Sequence, residues 1–339
     1  MKKIKLKQGS LEWEKYRATR IGSSDVFDIV RYYATDEELQ NCGINAEDFK
    51  VEKPYTTAWA LYHKVLNDGL YRKEELAPEF AEYGHAIEPY GMQVLQRSRA
   101  NKVRQGGVYI SDRLIASLDV EGVSESVDVR PFDYGNGRPK TGRRFVCEQK
   151  SMMPQKLKYH MPFKYIVQAQ YQIMETKADF FILQIMVLKE DTPFIRGKIC
   201  QMSKAARIKY LDKNMTVSHY YFANNYQLGT LIDTCLNRFF ADADGRKEPN
   251  PFSEYDSQKN IIQSVRANTL FNDDYVIDYD LTKYLEFKQL ETRYEEMRRK
   301  ELDKIIEQAK KHNACRFTHN GVRASFSKSG AFLIKEVKQ

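Results

Sequence analysis

Two stretches decide how this chain is read: Arg144-Phe145-Val146-Cys147-Glu148-Gln149-Lys150 and, with its acid 29 residues before Glu148, Leu114-Ile115-Ala116-Ser117-Leu118-Asp119. Both are short apolar runs of strand type that end in charge. On a strand, side chains i and i+2 face the same way, so Glu148 and Lys150 point together while Gln149 points away from them. A Glu-x-Lys triplet alone has little weight. It recurs at Glu175, Glu286 and Glu336, where a solvated charge pair is the ordinary outcome. Context separates the one at Glu148. A strand ending in Asp119 and lying alongside would bring two carboxylates together. Such a pair binds Mg²⁺ through hard oxygens, and the backbone carbonyl of Gln149 can add another ligand. The Lys150 ammonium would then orient or activate an attacking water and stabilise charge on a phosphate. The chemistry that fits is phosphodiester hydrolysis.

Neighbouring segments add to that reading. Gly84-His85-Ala86-Ile87-Glu88-Pro89 puts a third acid in an otherwise apolar helix. Tyr165-Ile166-Val167-Gln168-Ala169-Gln170-Tyr171-Gln172 sets three glutamines in a helix that reads as buried. Residues i and i+4 share a face, so Gln168 and Gln172 are directed together. Buried amides need partners, which a phosphate or a metal-bound water would supply, as would core groups. Between Arg138 and Lys164 there are eight Lys or Arg and a single acid, Glu148. A basic stripe beside the proposed site, with Arg143 and Arg144 as its DNA-binding candidates, suits the backbone of DNA. A second basic group, Lys198, Lys204, Arg207, Lys209 and Lys213, is less specific.

The alternation of elements indicates an α/β protein with a central mixed sheet flanked by helices. Helices are expected from Ser10 to Arg17, from Ser23 or Ser24 to Val30, over 56–67 and 74–98 with a kink or restart at Pro89, and over 163–176. Strands are expected at 107–111, 114–118, 124–130, 144–149, 180–188 and 194–201, with a hairpin signal at Asn136-Gly137. Residues 204–243 read as helical, and 245–252 as a linker. The tail reads as one long charged helix over 281–312, then a hairpin about Asn320-Gly321. The apolar spacing from Phe287 to Met297 is heptad-like and fails at Glu301, which argues against a long coiled coil. The expected domains are therefore 1–252 and a C-terminal extension, 253–339.

The 339 residues carry 54 Lys and Arg against 46 Asp and Glu, a formal charge of +8, with 42% hydrophobic and 29% charged residues. The 22 tyrosines and 18 phenylalanines supply core material that a disordered chain lacks. No apolar run is long enough to span a membrane, and no apolar stretch follows the basic start MKKIKLKQGS as a signal peptide requires. Cys42, Cys147, Cys200, Cys235 and Cys315 are scattered and odd in number, which speaks against a disulfide framework, a zinc site or an iron–sulfur cluster. A cytoplasmic setting, in a bacterial or phage-infected cell, is expected. There is no Gly-rich phosphate loop, so no nucleotide cofactor is expected.

Five motifs stand in one order: Trp13-x3-Arg17 with Gly22-Ser23-Ser24-Asp25, then Gly84–Pro89, then Ala116–Asp119, then Glu148–Lys150, then Tyr165-x-x-Gln168-x-Gln170. In that order the chain resembles the YqaJ and phage lambda exonuclease family, within the PD-(D/E)XK nuclease superfamily, over about residues 10–250. The helical tail with its terminal hairpin also resembles that of longer YqaJ-type phage proteins. The resemblance implies a PD-(D/E)XK core and a Mg²⁺-dependent exonuclease, Mn²⁺ being tolerated. It would degrade duplex DNA from 5′-phosphate ends and leave 3′ single strands for recombination with a single-strand annealing protein. It implies metal ligation by Asp119, Glu148 and the Gln149 carbonyl, and water activation by Lys150. Glu88 would act through a second metal or its water shell. Gln168 and Tyr165 would lie beside that cluster, and Arg17 and Ser24 would grip the 5′-terminal phosphate. It also implies a homo-oligomer, rings being known in the family. Val120 stands where the family has Gly, Gln149 where an apolar residue is common, and residues 130–142 lengthen the excursion between the acids. A site-specific endonuclease of the same superfamily and a non-catalytic DNA-binding recombination protein are the alternatives.

Overall fold

The computed structural model describes residues 1–6, 8–67, 78–98, 102–124, 143–152, 161–252, 254–256, 260–262, 281–312, 315–319, 322–326 and 332–336. The chain divides into two compact units, Met1–Thr269 and Leu270–Gln339.

The first unit begins β1 (Lys2–Ile4), α1 (Leu11–Ala18), β2 (Ile21–Gly22), α2 (Val26–Tyr33), α3 (Asp36–Asn41), α4 (Ala46–Val51) and α5 (Ala58–Leu66). It continues α6 (Pro78–Ser98), β3 (Lys102–Gln105), β4 (Val108–Ile110), β5 (Leu114–Ser117), β6 (Val120–Ser124) and β7 (Arg143–Met152). Then come α7 (Phe163–Thr176), β8 (Phe180–Leu188), α8 (Pro193–Gln201), α9 (Lys204–Asn214), β9 (Met215–Ala223) and α10 (Tyr226–Asp244). The main sheet has the order β3-β6-β7-β8-β9, and a smaller sheet has the order β1-β4-β5-β2. Only β7 and β8 pair in parallel within the main sheet, and α7 is the crossover between them. This is a mixed α/β fold with helices flanking the sheet, as the sequence implies.

β8 shows why it is central. Every residue of Phe-Phe-Ile-Leu-Gln-Ile-Met-Val-Leu is buried, the mark of a strand covered on both faces. One face packs α2, α7 and α10 into the main core, through Phe27, Ile166, Tyr171, Leu183 and Phe239. On the other face Ile87 and Tyr90 of α6 pack with Met186, Leu188 and Ile199.

Helix starts follow side-chain caps: Ser10 accepts from Trp13 N, and Thr57 accepts from Ala60 N. The expected caps at Ser23 or Ser24 do not form. Asp25 is the N-cap of α2, and its carboxylate makes no cap hydrogen bond, being turned onto the Gly22 N–H at 2.9 Å and onto Lys64. α6 runs through Pro89 without ending.

Two expected elements are also overturned. Residues 194–201 form helix α8, not a strand, because Thr192 caps Ile195 N and Pro193 occupies the first turn. The Arg207 guanidinium then secures the far end of α8, donating to the carbonyls of Ile199, Cys200 and Met202 and across to Ala86 of α6. Residues 204–243 are not all helix. Met215–Ala223 is strand β9, pairing along the whole of β8, and its Thr-Val-Ser-His-Tyr-Tyr-Phe composition is that of a strand. The sequence reading also passed over β1, β2, β3, α3, α4 and, but for Ser124, β6. The expected run at 124–130 and the turn at Asn136-Gly137 lie outside the described residues, apart from Ser124 at the end of β6.

The second unit holds one long helix, α11 (Leu281–Lys311), and a sheet of β10 (Arg316–His319), β11 (Val322–Phe326) and β12 (Phe332–Glu336) in that order. All pairs in it are antiparallel, so the expected hairpin is the first half of a three-stranded meander. On α11 the apolar residues Phe287, Leu290, Tyr294 and Met297 are exposed.

Candidate active site

The geometry of the site follows from strand register. β6 pairs antiparallel with β7, Val120 opposite Cys147. The expected strand 114–118 is β5 and belongs to the smaller sheet, so it is not the strand alongside β7. Asp119 instead lies one residue before β6 and so beside Glu148, and the Gln149 N–H donates to Asp119 Oδ2 at 2.8 Å. In an extended strand the N–H and C=O of one residue point to the same edge, so the Gln149 carbonyl faces the Asp119 side. Lys150 Nζ donates to Glu148 Oε1 at 2.6 Å. Glu148 is 8% exposed.

Burial, and next the charge of Glu148, push the Asp119 carboxyl well above the ordinary carboxylate range; Lys150 and the Gln149 N–H offset this in part. Glu88 adds to the same negative field, which puts it within electrostatic reach of Asp119. It hydrogen-bonds His85 Nδ1 at 3.0 Å. For Lys150, burial opposes the charge, yet Glu148 and Asp119 outweigh it and hold its pKa above the usual lysine value. The one cation that bonds this acid pair among the described residues, Lys150, does not offset the penalty that holds the Asp119 carboxyl up. A divalent cation fits that deficit. Among the described residues no three His, Cys, Asp or Glu side chains converge as a metal-binding group. The available donors are two carboxylates, a backbone carbonyl and water, which suits Mg²⁺, a cation that keeps several waters, better than Zn²⁺.

α7 runs antiparallel to β7 over this face. Arg144 Nη2 donates to the Thr176 carbonyl at 3.4 Å, Gln172 Nε2 to Glu148 Oε2 at 3.2 Å, and Tyr165 interacts electrostatically with Lys150. Of the three glutamines it is thus Gln172 that meets Glu148. Gln170 braces the turn into α10, donating to the Ala223 carbonyl and accepting from Asn225 N. Gln168 is 3% exposed and bonds none of Asp119, Glu148 and Lys150 among the described residues. Tyr165 hydrogen-bonds Tyr55, whose ring lies 4.6 Å from Lys164 Nζ.

The second part of the site is the turn Gly22–Asp25. Ser24 is half-buried there. Asp25 accepts from Lys64 Nζ at 2.6 Å, both side chains being buried. Burial by itself raises the Asp25 pKa, but Lys64, the Gly22 N–H and the nearby Arg17 together bring it below the ordinary value. Arg17 stacks over the Trp13 ring at 4.9 Å, and Trp13 Nε1 donates to Ser117 Oγ at 2.7 Å, two residues before Asp119. One indole thus ties the helix carrying Arg17 to the strand leading to Asp119.

Arg144 lies at the opposite end of β7 from Lys150, six residues or ~20 Å away at a strand's rise. The side chain of Arg143, and Arg138, Lys140, Lys156, Lys158 and His160, lie outside the described residues. Sequence reasoning missed Lys64, Tyr55 and the bond made by Gln172. The only signal for Lys64 was a cation within the apolar run Ala58–Leu66, where burial demands an acid partner.

No protein-family model and no curated protein matches the sequence. Solved structures to which the chain is similar include an alkaline exonuclease from Laribacter hongkongensis, at 12% identity and TM-score 0.40 over 77% of this chain and 100% of that one. They also include a phage-related exonuclease from Haemophilus somnus, at 9% identity and TM-score 0.41 over 67% of this chain and 94% of that one. The Laribacter enzyme in complex with dAMP gives 15% identity and TM-score 0.40 over 70% and 95%. Likeness at this level assigns no chemistry to the chain.

Proposed function

We propose that this protein is a Mg²⁺-dependent nuclease that hydrolyses phosphodiesters of linear duplex DNA from 5′-phosphorylated ends. The observation that carries the reading is the juxtaposition of Asp119, Glu148 and Lys150, with Gln149 N–H on Asp119 at 2.8 Å and Lys150 Nζ on Glu148 at 2.6 Å. Asp119, Glu148 and the Gln149 carbonyl would hold the metal, with Glu88 reaching it through water. When bound, the cation supplies charge stabilisation at the phosphate and an acidified water. Lys150, held charged, orients that water and offsets the negative charge that builds on the phosphate. From α7, Tyr165 interacts with Lys150, and Gln168, one turn before Gln172, would serve the metal's water shell. Arg17 forks onto the 5′-terminal phosphate and the Ser24 hydroxyl donates to it, which sets the reacting bond one nucleotide inward and makes the enzyme an exonuclease. The product would be a 3′ single strand, the substrate of an annealing protein in homologous recombination. Assembly into a homo-oligomer belongs to the same reading.

The test is digestion of linear duplexes bearing 5′-phosphate or 5′-hydroxyl ends, in Mg²⁺ or EDTA, alongside Lys150→Ala. The expected result is Mg²⁺-dependent nucleotide release from phosphorylated ends and a fall of about 10²–10³-fold in the variant, the usual worth of one preorganised charge-stabilising donor. Cutting of closed circles at discrete sites would make it a restriction-type endonuclease. DNA binding with no release under any metal would make it an accessory protein.

A further inference from the structure

Gln172 is fully buried and is not among the residues to which the proposed chemistry gives a role. Its Nε2 spends both hydrogens, one on Ser23 Oγ at 3.1 Å and one on Glu148 Oε2 at 3.2 Å. Among the described residues its buried Oε1 has no hydrogen-bond partner. Since Lys150 holds Glu148 Oε1, the two bonds from Lys150 and Gln172 grip both oxygens of that carboxylate and set its plane. The other end of the amide rests on the residue next to Ser24, in the turn closed by Gly22 N–H on Asp25. One neutral side chain therefore touches the carboxylate proposed to hold metal and the turn proposed to seat the terminal phosphate. With no third bond at Oε1, nothing on its acceptor side resists a movement of Ser23.

We infer that Gln172 is a positioning residue that couples the end-phosphate turn to Glu148, so that a seated 5′-phosphate is felt as turnover and not only as affinity. This rests on the nuclease reading above. A hydrogen bond to a ligating carboxylate typically changes metal affinity by ~10–100-fold, so the Glu148 side of the link should be visible without any DNA.

Two variants separate the halves of the link. Gln172→Leu keeps the volume and removes both bonds; Ser23→Ala removes only the turn side. Mn²⁺ binding, followed by the electron paramagnetic resonance of the free ion, should weaken about 10-fold in Gln172→Leu and stay at the wild-type value in Ser23→Ala. In digestion with Mg²⁺, both variants should lose most of the kcat advantage of 5′-phosphate over 5′-hydroxyl ends, with KM for DNA kept. Wild-type Mn²⁺ affinity in Gln172→Leu, or an intact kcat ratio in both variants, overturns the coupling while leaving the nuclease standing. If Gln172→Leu does not fold by near-ultraviolet dichroism, the kcat ratio of Ser23→Ala decides. Failure of the wild type to bind Mn²⁺ and to digest DNA overturns the nuclease reading, and the coupling with it.

Discussion

At the scale of the residue, the unusual group is Asp119. Its folded pKa stands above the unfolded one because burial and the neighbouring Glu148 charge penalise ionisation. The sign follows from proton counts. Between the unfolded and folded pKa values the native state binds more protons, so this group's contribution falls as pH rises through that window. Asp119→Asn should therefore melt above wild type in EDTA at pH 7.5, by about 2–4 °C if ~1 kcal/mol is recovered. The gain should shrink as pH falls and vanish at about pH 3, below the unfolded-state pKa, where the carboxyl is protonated in folded and unfolded chains alike. Thermal melts at the two pH values check this, and equal melting at pH 7.5 would refute the strained acid pair. Lys64 presents the opposite case. It and Asp25 are a buried pair, so Lys64→Met leaves an uncompensated carboxylate and should cost about 3–5 kcal/mol in a denaturant titration. The Glu148–Lys150 arrangement was readable from the strand period. The Lys64–Asp25 pair was not, since 39 residues separate two groups that only the packing of α5 against α2 unites.

At the scale of the element, the back of β7, the strand of the proposed site, is as ordered as its front. Gln149 faces away from the acids and donates to Gln184 Oε1 at 2.7 Å, while Gln184 Nε2 reaches the Gly91 carbonyl and His219 Nε2. These residues are register partners on β7, β8 and β9. α6 can approach them only because Gly91 has no side chain: a Cβ there would lie 2.3 Å from Gln149 Nε2 and 2.5 Å from Gln184 Oε1. Gly91→Ala should destabilise the fold by ~1–3 kcal/mol in denaturant, with the side chains of the amide ladder forced off their rotamers. An unchanged midpoint would mean the ladder yields easily. The misread elements have a common cause. Pro193–Gln201 and Met215–Ala223 are each nine residues long, and windows so short do not separate the two periods. A Thr cap before Pro193 and a β8 edge to pair with decide them, and the second of these exists only after folding.

For the whole molecule, a charge of +8 favours a polyanion but does not say where it binds. If DNA enters at the Arg17 end, affinity should fall steeply from 50 to 200 mM salt, and Arg17→Ala should reduce the slope of log K on log salt by about one. Arg144→Ala should change that slope less, because its guanidinium already serves the Thr176 carbonyl at the far end of β7. Filter binding across a salt series distinguishes the two, and equal slopes would move the DNA track. Among the described residues no helix is long and apolar enough to cross a membrane. By itself the sequence determined the α/β class, α7 and β8 to the residue, and the shared direction of Glu148 and Lys150, because these rest on local periodicity and on charge placed against apolar runs. Only the tertiary structure decided which glutamine meets Glu148, what Asp25 is paired with, and where β9 lies. Those depend on register between strands and on helices packed from distant parts of the chain, and no local pattern encodes that.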